Sequence, residues 1–275
     1  MKILVTGANG MLGQDLCPIL EDNGYEVIEA SRQNFDITNA EMLKEFITQN
    51  PIDLLIHCAA YTSVDDAENN FDLAFSVNAS GTENVARICA MNDIPLVYIS
   101  TDYIFDGTKD KPYLPNDKAN PLNVYGQTKL KGEEFVKQIC SKYYIVRTSW
   151  LYGHHGKNFV ETMLNLKNKG SLKVVNDQRG CPTWTVDLSN AIVDLLNEPY
   201  GVYHLCGGGE ASWYDFAKEI FELENIQINL IACNSDEYVR PAKRPKYSVL
   251  ENEKHLRHWK KALKDYLLLR MEDGE

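Results

Sequence analysis

Lys2-Ile3-Leu4-Val5-Thr6-Gly7-Ala8-Asn9-Gly10-Met11-Leu12-Gly13 decides how the rest of the chain is read. Strand-favouring residues run into three glycines spaced by three, and Met11, Leu12, Leu16, Ile19 and Leu20 then recur at helical spacing. The stretch reads as strand, tight turn and helix. Such a turn brings bare backbone N–H groups and the positive end of a helix up to a diphosphate, an approach that side chains at positions 7 and 10 would obstruct. Gly13 would let the helix lie close to the sheet. Gly7, Asn9, Gly10, Met11, Leu12 and Gly13 are therefore the candidate cradle of a dinucleotide, set against the plainer reading of a strand-turn-helix junction without a ligand.

At 275 residues the chain has room for one large domain or two unequal ones. Its 44% hydrophobic and 24% charged content is that of a globular protein, which excludes a disordered or fibrous chain. A net charge of -11 opposes nucleic-acid binding and membrane-surface attachment, since both need a basic face. Any anionic ligand must then be met by a local cluster of cations. The seven cysteines are odd in number, scattered and never arranged as CxxC, so reduced thiols in a cytoplasmic protein are expected, and no metal site is assigned. The run Ile3–Val5 is too short for a signal peptide, and no stretch approaches transmembrane length.

Strands are expected at Tyr25–Ala30, Asp53–Cys58, Leu96–Ser100 and Tyr143–Thr148, alternating with helices at Asn39–Thr48, Phe71–Met91 and Leu122–Cys140. With the first strand they predict an α/β fold, a doubly wound parallel sheet of Rossmann type. Thr101–Pro121, rich in Gly, Pro, Asp, Asn and Lys, reads as a long exposed loop of the kind that carries function. Beyond Thr148 the alternation becomes irregular, with helices at Asn158–Lys167, Thr185–Leu196, Trp213–Leu223 and Asn252–Leu269 and short strands at Leu172–Val175, Gly201–Leu205 and Ile228–Ala232. The expected organisation is a dinucleotide-binding domain over 1–150 and a smaller C-terminal substrate lobe over 151–275, with 181–206 returning to the first domain.

Tyr125 and Lys129 stand four apart on a predicted helix and so share a face. A nearby ammonium favours a phenolate, and it would draw the tyrosine down towards the range in which it protonates an alkoxide. Thr101 directly follows the strand Leu96–Ser100, where the carboxyl ends of parallel strands face a ligand crevice and a hydroxyl can bond a carbonyl oxygen. Taken singly, these are an ordinary surface pair and a strand-ending turn residue.

Taken together, Gly7, Gly10, Gly13, Thr101, Tyr125 and Lys129 resemble, in order, the motifs of the extended short-chain dehydrogenase/reductase family, over essentially the whole chain. Longer text is similar to its dTDP-4-dehydrorhamnose reductase branch: Cys58-Ala59-Ala60-Tyr61-Thr62-Ser63-Val64-Asp65-Asp66-Ala67-Glu68, Ser100-Thr101-Asp102-Tyr103-Ile104-Phe105-Asp106-Gly107, Pro121-Leu122-Asn123-Val124-Tyr125-Gly126, Arg147-Thr148-Ser149-Trp150-Leu151-Tyr152 and Asn176-Asp177-Gln178-Arg179-Gly180-Cys181-Pro182-Thr183. The resemblance implies transfer of a hydride from NADPH or NADH to the C4 ketone of a nucleotide sugar, dTDP-4-dehydro-L-rhamnose, giving dTDP-L-rhamnose. In it Tyr125 is the acid, Thr101 polarises the carbonyl, and Lys129 holds the nicotinamide ribose. Asn78 would support the lysine, Asp36 and Ile37 would flank the adenine, and Ala59, Ala60 and Tyr61 would line the cofactor. Asp102, Tyr103, Trp150, Asn158 and Phe159 are implied near the sugar. A homodimer stays open.

Cofactor preference turns on the end of the second strand, where an acid usually bonds the ribose of NAD. Ala30-Ser31-Arg32 stands there, and a hydroxyl with a guanidinium suits a 2'-phosphate, although Glu29 leaves NADH open. Arg240-Pro241-Ala242-Lys243-Arg244-Pro245-Lys246 gathers four cations in an acidic chain, and Arg240 and Arg244 are the candidates for the sugar diphosphate, against a solvated surface run. Other nucleotide-sugar 4-ketoreductases and epimerases share these features. The regulatory subunit of methionine adenosyltransferase in animals also resembles the branch without catalysing, and against it stand intact Thr101, Tyr125 and Lys129. Dehydratases of the family carry an Asp-Glu pair where this chain has Asp102-Tyr103.

Overall fold

Strand β1 (Lys2–Thr6) buries Ile3, Leu4 and Val5 completely, and a strand apolar on both faces needs cover on both. A computed structural model, which describes residues 1–272, shows how that cover is supplied. α1 (Met11–Asp22), β2 (Glu26–Ala30), α2 (Ala40–Gln49), β3 (Leu54–His57), α3 (Val64–Ala67), α4 (Phe71–Phe75), α5 (Thr82–Met91), β4 (Leu96–Thr101), α6 (Val124–Ile139) and β5 (Tyr143–Thr148) follow in turn. Then come β6 (Leu151–Tyr152), α7 (Phe159–Asn165), β7 (Ser171–Val175), β8 (Arg179–Gly180), β9 (Thr183–Trp184), α8 (Thr185–Leu195), β10 (Gly201–His204), β11 (Ala211–Ser212), α9 (Trp213–Leu223), β12 (Asn229–Cys233) and α10 (Trp259–Glu272).

Six strands form one parallel sheet in the order β10-β5-β4-β3-β1-β2. Leu4, Leu55, Tyr98 and Ile145 point to one side, with Leu43 of α2, Val85 of α5 and Val136 of α6. Ile3, Val5, Ile56 and Val97 point to the other, with Leu16 and Leu20 of α1 and Leu188 and Ile192 of α8. Because β2 and β3 flank β1 on opposite sides, the connections leaving β1 and β3 diverge. The crevice at that switch point is where open α/β sheets bind ligands. A further core gathers Tyr152, Trp184, Phe216, Ile220, Trp259 and Leu263, drawn only from residues beyond 150.

Three expected elements differ from the structure. Phe71–Met91 is helical throughout, but Ser76–Gly81 is a π-helical turn, a widening that recurs at functional sites. Thr101–Pro121 is not simply exposed: Ile104, Phe105 and Tyr113 are buried, Phe105 stacks on Tyr113 at 4.1 Å, and Tyr113 N–H donates to the Val249 carbonyl. The last helix begins at Trp259 rather than Asn252. Asn252 bonds the Leu256 backbone both ways, His255 takes φ +52°, and Gly208 holds Arg257 and Trp259 in a bridge, none of which a helix permits.

Arg147 on β5 ties the loop to the sheet. Its guanidinium donates to both oxygens of Glu133 on α6 at 2.9 and 2.7 Å and to the Pro115 carbonyl at 2.8 Å, and both side chains are buried. Ser100 at the end of β4 donates to the same carboxylate at 2.6 Å. Arg147→Met would strip the buried Glu133 carboxylate of its bidentate partner and leave it only Lys137 at 3.5 Å and the Lys129 charge, so urea unfolding at neutral pH should show a loss of about 3–5 kcal/mol. The loss should shrink in acid, where the stranded carboxyl takes up a proton; a neutral substitution would show that the pair does not hold the fold.

Candidate active site

A cleft of about 830 Å³ runs along the carboxyl ends of the strands, lined at successive strands by Gly7, Ala59, Thr101 and Thr148. The turn after β1 is built of backbone. Gly7 has φ +71°, and a Cβ there would stand 2.6 Å from the Ala59 nitrogen, where β1 and β3 release their chains. A Cβ at Gly13 would lie 2.6 Å from Ala8 Cα, so this glycine accommodates the turn itself as much as the sheet beneath. Gly10 precedes α1 with no side-chain cap and no acid in the first turn, which leaves the helix's free N–H groups and positive end to the cleft. Asn9, Gly10, Met11 and Leu12 line it.

At the far end stand Ser31, Arg32, Asp36 and Ile37. Asp36 accepts from the Thr38 N–H at 2.9 Å and its hydroxyl at 2.8 Å, which hold its carboxyl below the usual range. Glu29 does not line the cleft. Ala59 and Ala60 do, whereas Tyr61 falls outside, its backbone clamped by Asn78, whose amide accepts from Tyr61 N–H at 2.8 Å and donates to its carbonyl at 3.0 Å. Asn78 also donates to Thr128 on α6 at 3.1 Å. It therefore supports the loop after β3 and the helix that carries Lys129, and does not touch the ammonium.

Asn123 starts α6 by accepting from Gly126 N–H at 2.8 Å, and Glu68 accepts from Val124 N–H at 2.8 Å. Tyr125 and Lys129 thus fall on successive turns, both lining the cleft with Thr101. The Lys129 ammonium donates to the Ile99 carbonyl at 2.7 Å and lies 4.1 Å from the centre of the Tyr98 ring. Burial draws it down to about 7, with Glu133 one turn on pushing it back up. The expected depression of Tyr125 is corrected: burial pushes the phenol up to about 12, the Thr101 hydroxyl pulls the other way, and Asp102 raises it further. The ammonium is turned to the Ile99 carbonyl, so burial dominates.

Thr101 Oγ1 donates to Asp102 at 3.1 Å, and Asp102 accepts from the Ser248 hydroxyl at 2.5 Å. Burial pushes the Asp102 carboxyl up to about 7 against these bonds. Trp150 lines the cleft. Tyr103 lies behind Tyr125, ring edge to face at 6.0 Å, and Asn158 and Phe159 stand outside the lining. Asn158 is engaged as the cap of α7, accepting from Glu161 N–H and donating to the Gly153 carbonyl. Phe159 packs on Trp213 at 4.7 Å. Arg244 pairs bidentately with Asp65 at 2.6 and 2.8 Å, and Arg240 reaches the same carboxylate at 3.1 Å; neither lines the cleft. Arg244 also draws on Tyr103, which connects this cluster to the ring of Tyr125.

Three residues near the site escaped sequence reasoning. Thr148, opposite Thr101 in the β4–β5 register, presents a buried hydroxyl with no hydrogen-bond partner in the described structure. Ser248 holds Asp102 from 146 positions away, and Trp213 stacks on Trp150; only the fold brings either there. A backbone cradle that any Cβ would fill, a bare helix N-terminus and an orphaned hydroxyl beside Thr101 together fit a dinucleotide.

Asp65 fastens residues 240–244 to α3, and the guanidinium of Arg244 holds its carboxyl down to about 2 from an ordinary 3.8. A lowered carboxyl stabilises fully above its ordinary value and ceases to as pH falls through the lowered one. Hydrogen exchange over 240–246 should accelerate beyond its intrinsic trend between pH 4 and 2. In Asp65→Asn it should be fast throughout; protection unchanged by either would show that the pair is not the fastening.

The family model described as RmlD substrate binding domain matches residues 1–269. The spore coat polysaccharide biosynthesis protein SpsK of Bacillus subtilis is 39% identical, over 97% of this chain and 96% of its own. A dTDP-4-dehydrorhamnose reductase structure from Clostridium acetobutylicum superposes with a TM-score of 0.96 at 46% identity, covering 98% of this chain and 100% of that one. The dTDP-4-dehydrorhamnose reductase of Bacillus anthracis, solved in complex with NADP, gives 0.94 at 39%, covering 98% and 99%.

Proposed function

The chain belongs to the RmlD substrate binding domain family, and on that premise we propose that it reduces the C4 ketone of dTDP-4-dehydro-L-rhamnose with NAD(P)H to give dTDP-L-rhamnose. The observation that carries the reading is the meeting of Thr101, Tyr125 and Lys129 in a cleft that a backbone cradle for a diphosphate also lines. A reduced nicotinamide bound there supplies the hydride. Negative charge then grows on the ketone oxygen, and Tyr125, kept protonated by burial, donates to it. Thr101 polarises the same oxygen. Where Asp102, pushed up to about 7 by burial, takes up a proton, it would donate to Thr101 in place of accepting from it and turn the threonine's own hydrogen to the carbonyl. Lys129 bonds the nicotinamide ribose from its seat on the Ile99 carbonyl.

Arg240 and Arg244 enter the proposal as the cations for the sugar diphosphate. Two guanidinium groups share one carboxylate, so a positive charge remains to be offered. Trp150 supplies a wall for the sugar. A dinucleotide-binding part over 1–150, to which 181–206 returns through α8 and β10, and a substrate lobe over 151–275 belong to the same reading, in keeping with the separate core beyond residue 150. So do a cytoplasmic location, in keeping with seven free cysteines, and self-association, for which exposed Phe71 and Leu73 on α4 offer a surface. No described helix is long and apolar enough to cross a membrane.

Purified protein should oxidise NADPH when given dTDP-4-dehydro-L-rhamnose. Tyr125→Phe, which removes only the acid, should lower turnover by about 10² to 10⁴ with cofactor binding retained. Absence of cofactor oxidation with any 4-keto nucleotide sugar, or an equally fast Tyr125→Phe, would turn the reading to a binding protein.

Ser31 and Arg32 line the cleft and Glu29 does not, which favours a 2'-phosphate. NADPH should therefore serve at least as well as NADH, and Arg32→Ala should raise the KM for NADPH alone. Equal changes for the two cofactors would remove Arg32 from the phosphate.

A further inference from the structure

Trp150 is a bulky residue at φ +48°, a conformation that persists only where its surroundings enforce it. The enforcing contacts come from beyond the catalytic set. The indole of Trp213 stacks face to face on that of Trp150, with ring centres 3.5 Å apart and planes 3° from parallel. Phe159, tilted against Trp213 at 4.7 Å, backs the stack. Gly180 closes it on another side: a Cβ there would stand 2.5 Å from Trp150 Cε2 and Nε1, well inside the ordinary carbon contact of about 3.5–4.0 Å. The antiparallel pairing of β8 with β11 sets Gly180 opposite Ala211 and Arg179 opposite Ser212, and so delivers Trp213 to the indole that Gly180 leaves room for. Thr183 N–H bonds the Trp150 carbonyl at 3.2 Å, which fixes the backbone on the remaining side.

We propose that Gly180 and Trp213 are positioning residues for substrate recognition: they seat the Trp150 indole as a rigid wall of the cleft that Tyr125 and Thr101 also line, and that wall selects the 4-keto sugar. The proposal rests on the nucleotide-sugar site of the reductase reading, and not on its hydride transfer. One face of the indole is covered by Trp213 and one edge by Gly180, so it cannot yield to a bulkier sugar in either of those directions. A ring displaced by about an ångström misplaces the carbonyl relative to its donors. Neither residue lines the cleft, so their effect passes through Trp150.

The test compares wild type with Trp213→Leu, Gly180→Ala and Trp213→Tyr, in three readouts: affinity for dTDP-L-rhamnose and for NADPH by titration calorimetry, KM and kcat, and the exciton couplet that two stacked indoles give in circular dichroism. Trp213→Leu and Gly180→Ala should weaken nucleotide-sugar affinity and raise its KM by about 10- to 100-fold, with NADPH affinity unchanged. Trp213→Leu should abolish the couplet. Trp213→Tyr, which keeps an aromatic plane, should recover most of the affinity. Unchanged nucleotide-sugar affinity in a folded Trp213→Leu that has lost the couplet would overturn the proposal, as would equal losses for sugar and NADPH. If wild type binds the nucleotide sugar without reducing it, and the variants still weaken binding selectively, the reductase reading falls and this one stands. If wild type binds no nucleotide sugar, both fall.

Discussion

A buried ammonium must find partners, and the way Lys129 finds them organises this molecule. It lies 2% exposed between a helix and the end of a parallel strand, where an unpaired charge is untenable. The Ile99 carbonyl takes its hydrogen bond, the Tyr98 ring covers it, and Glu133 supplies countercharge from the next turn. Each partner brings an obligation of its own. Tyr98 returns its hydroxyl to the Lys129 carbonyl at 3.3 Å, and Glu133 is held by Ser100 and Arg147, which reaches on to the loop at Pro115. α6, β4, β5 and the loop beyond β4 are thereby knit around one side chain, and Tyr125 is carried to Thr101 as a consequence.

The two ends of the cleft are built by different means. The cofactor end consists of backbone, uncapped helix and the clamp that Asn78 makes from a π-helical turn, all on elements of the parallel sheet. Where Thr101 and Tyr125 meet, the phenol is insulated by burial and the threonine hydroxyl is bonded to Asp102, which Ser248 holds in turn. In the later part of the chain, aromatic stacking and a shared Asp65 hold what the sheet does not reach.

The sheet was legible because the fully buried strands of a parallel fold write themselves as unbroken apolar runs such as Ile3–Val5, and its helices because their apolar faces repeat. The strand-turn-helix of residues 2–22 and the placing of Tyr125 and Lys129 on one face of a helix were legible because they are local. What could not be read depends on distant partners. The sequence offers no sign that Lys129 would turn to the Ile99 carbonyl rather than to Tyr125, that Asp65 would claim Arg240 and Arg244, or that Asn158 would be absorbed in capping a helix. Polar-looking text between Thr101 and Pro121 concealed three buried side chains whose partners lie at residues 147, 204, 249 and 250. The start of the last helix was misplaced because the bridge to Gly208, fifty residues away, takes the backbone bonds a helix would need.

The most direct test of the account follows an isotope. Purified protein is incubated with NADPH deuterated at the transferring position of the nicotinamide and with dTDP-4-dehydro-L-rhamnose, and the product is analysed by mass spectrometry and NMR. The account predicts dTDP-L-rhamnose carrying deuterium at C4 of the sugar, formed in step with cofactor oxidation. Product without deuterium, or deuterium at another carbon, would contradict it.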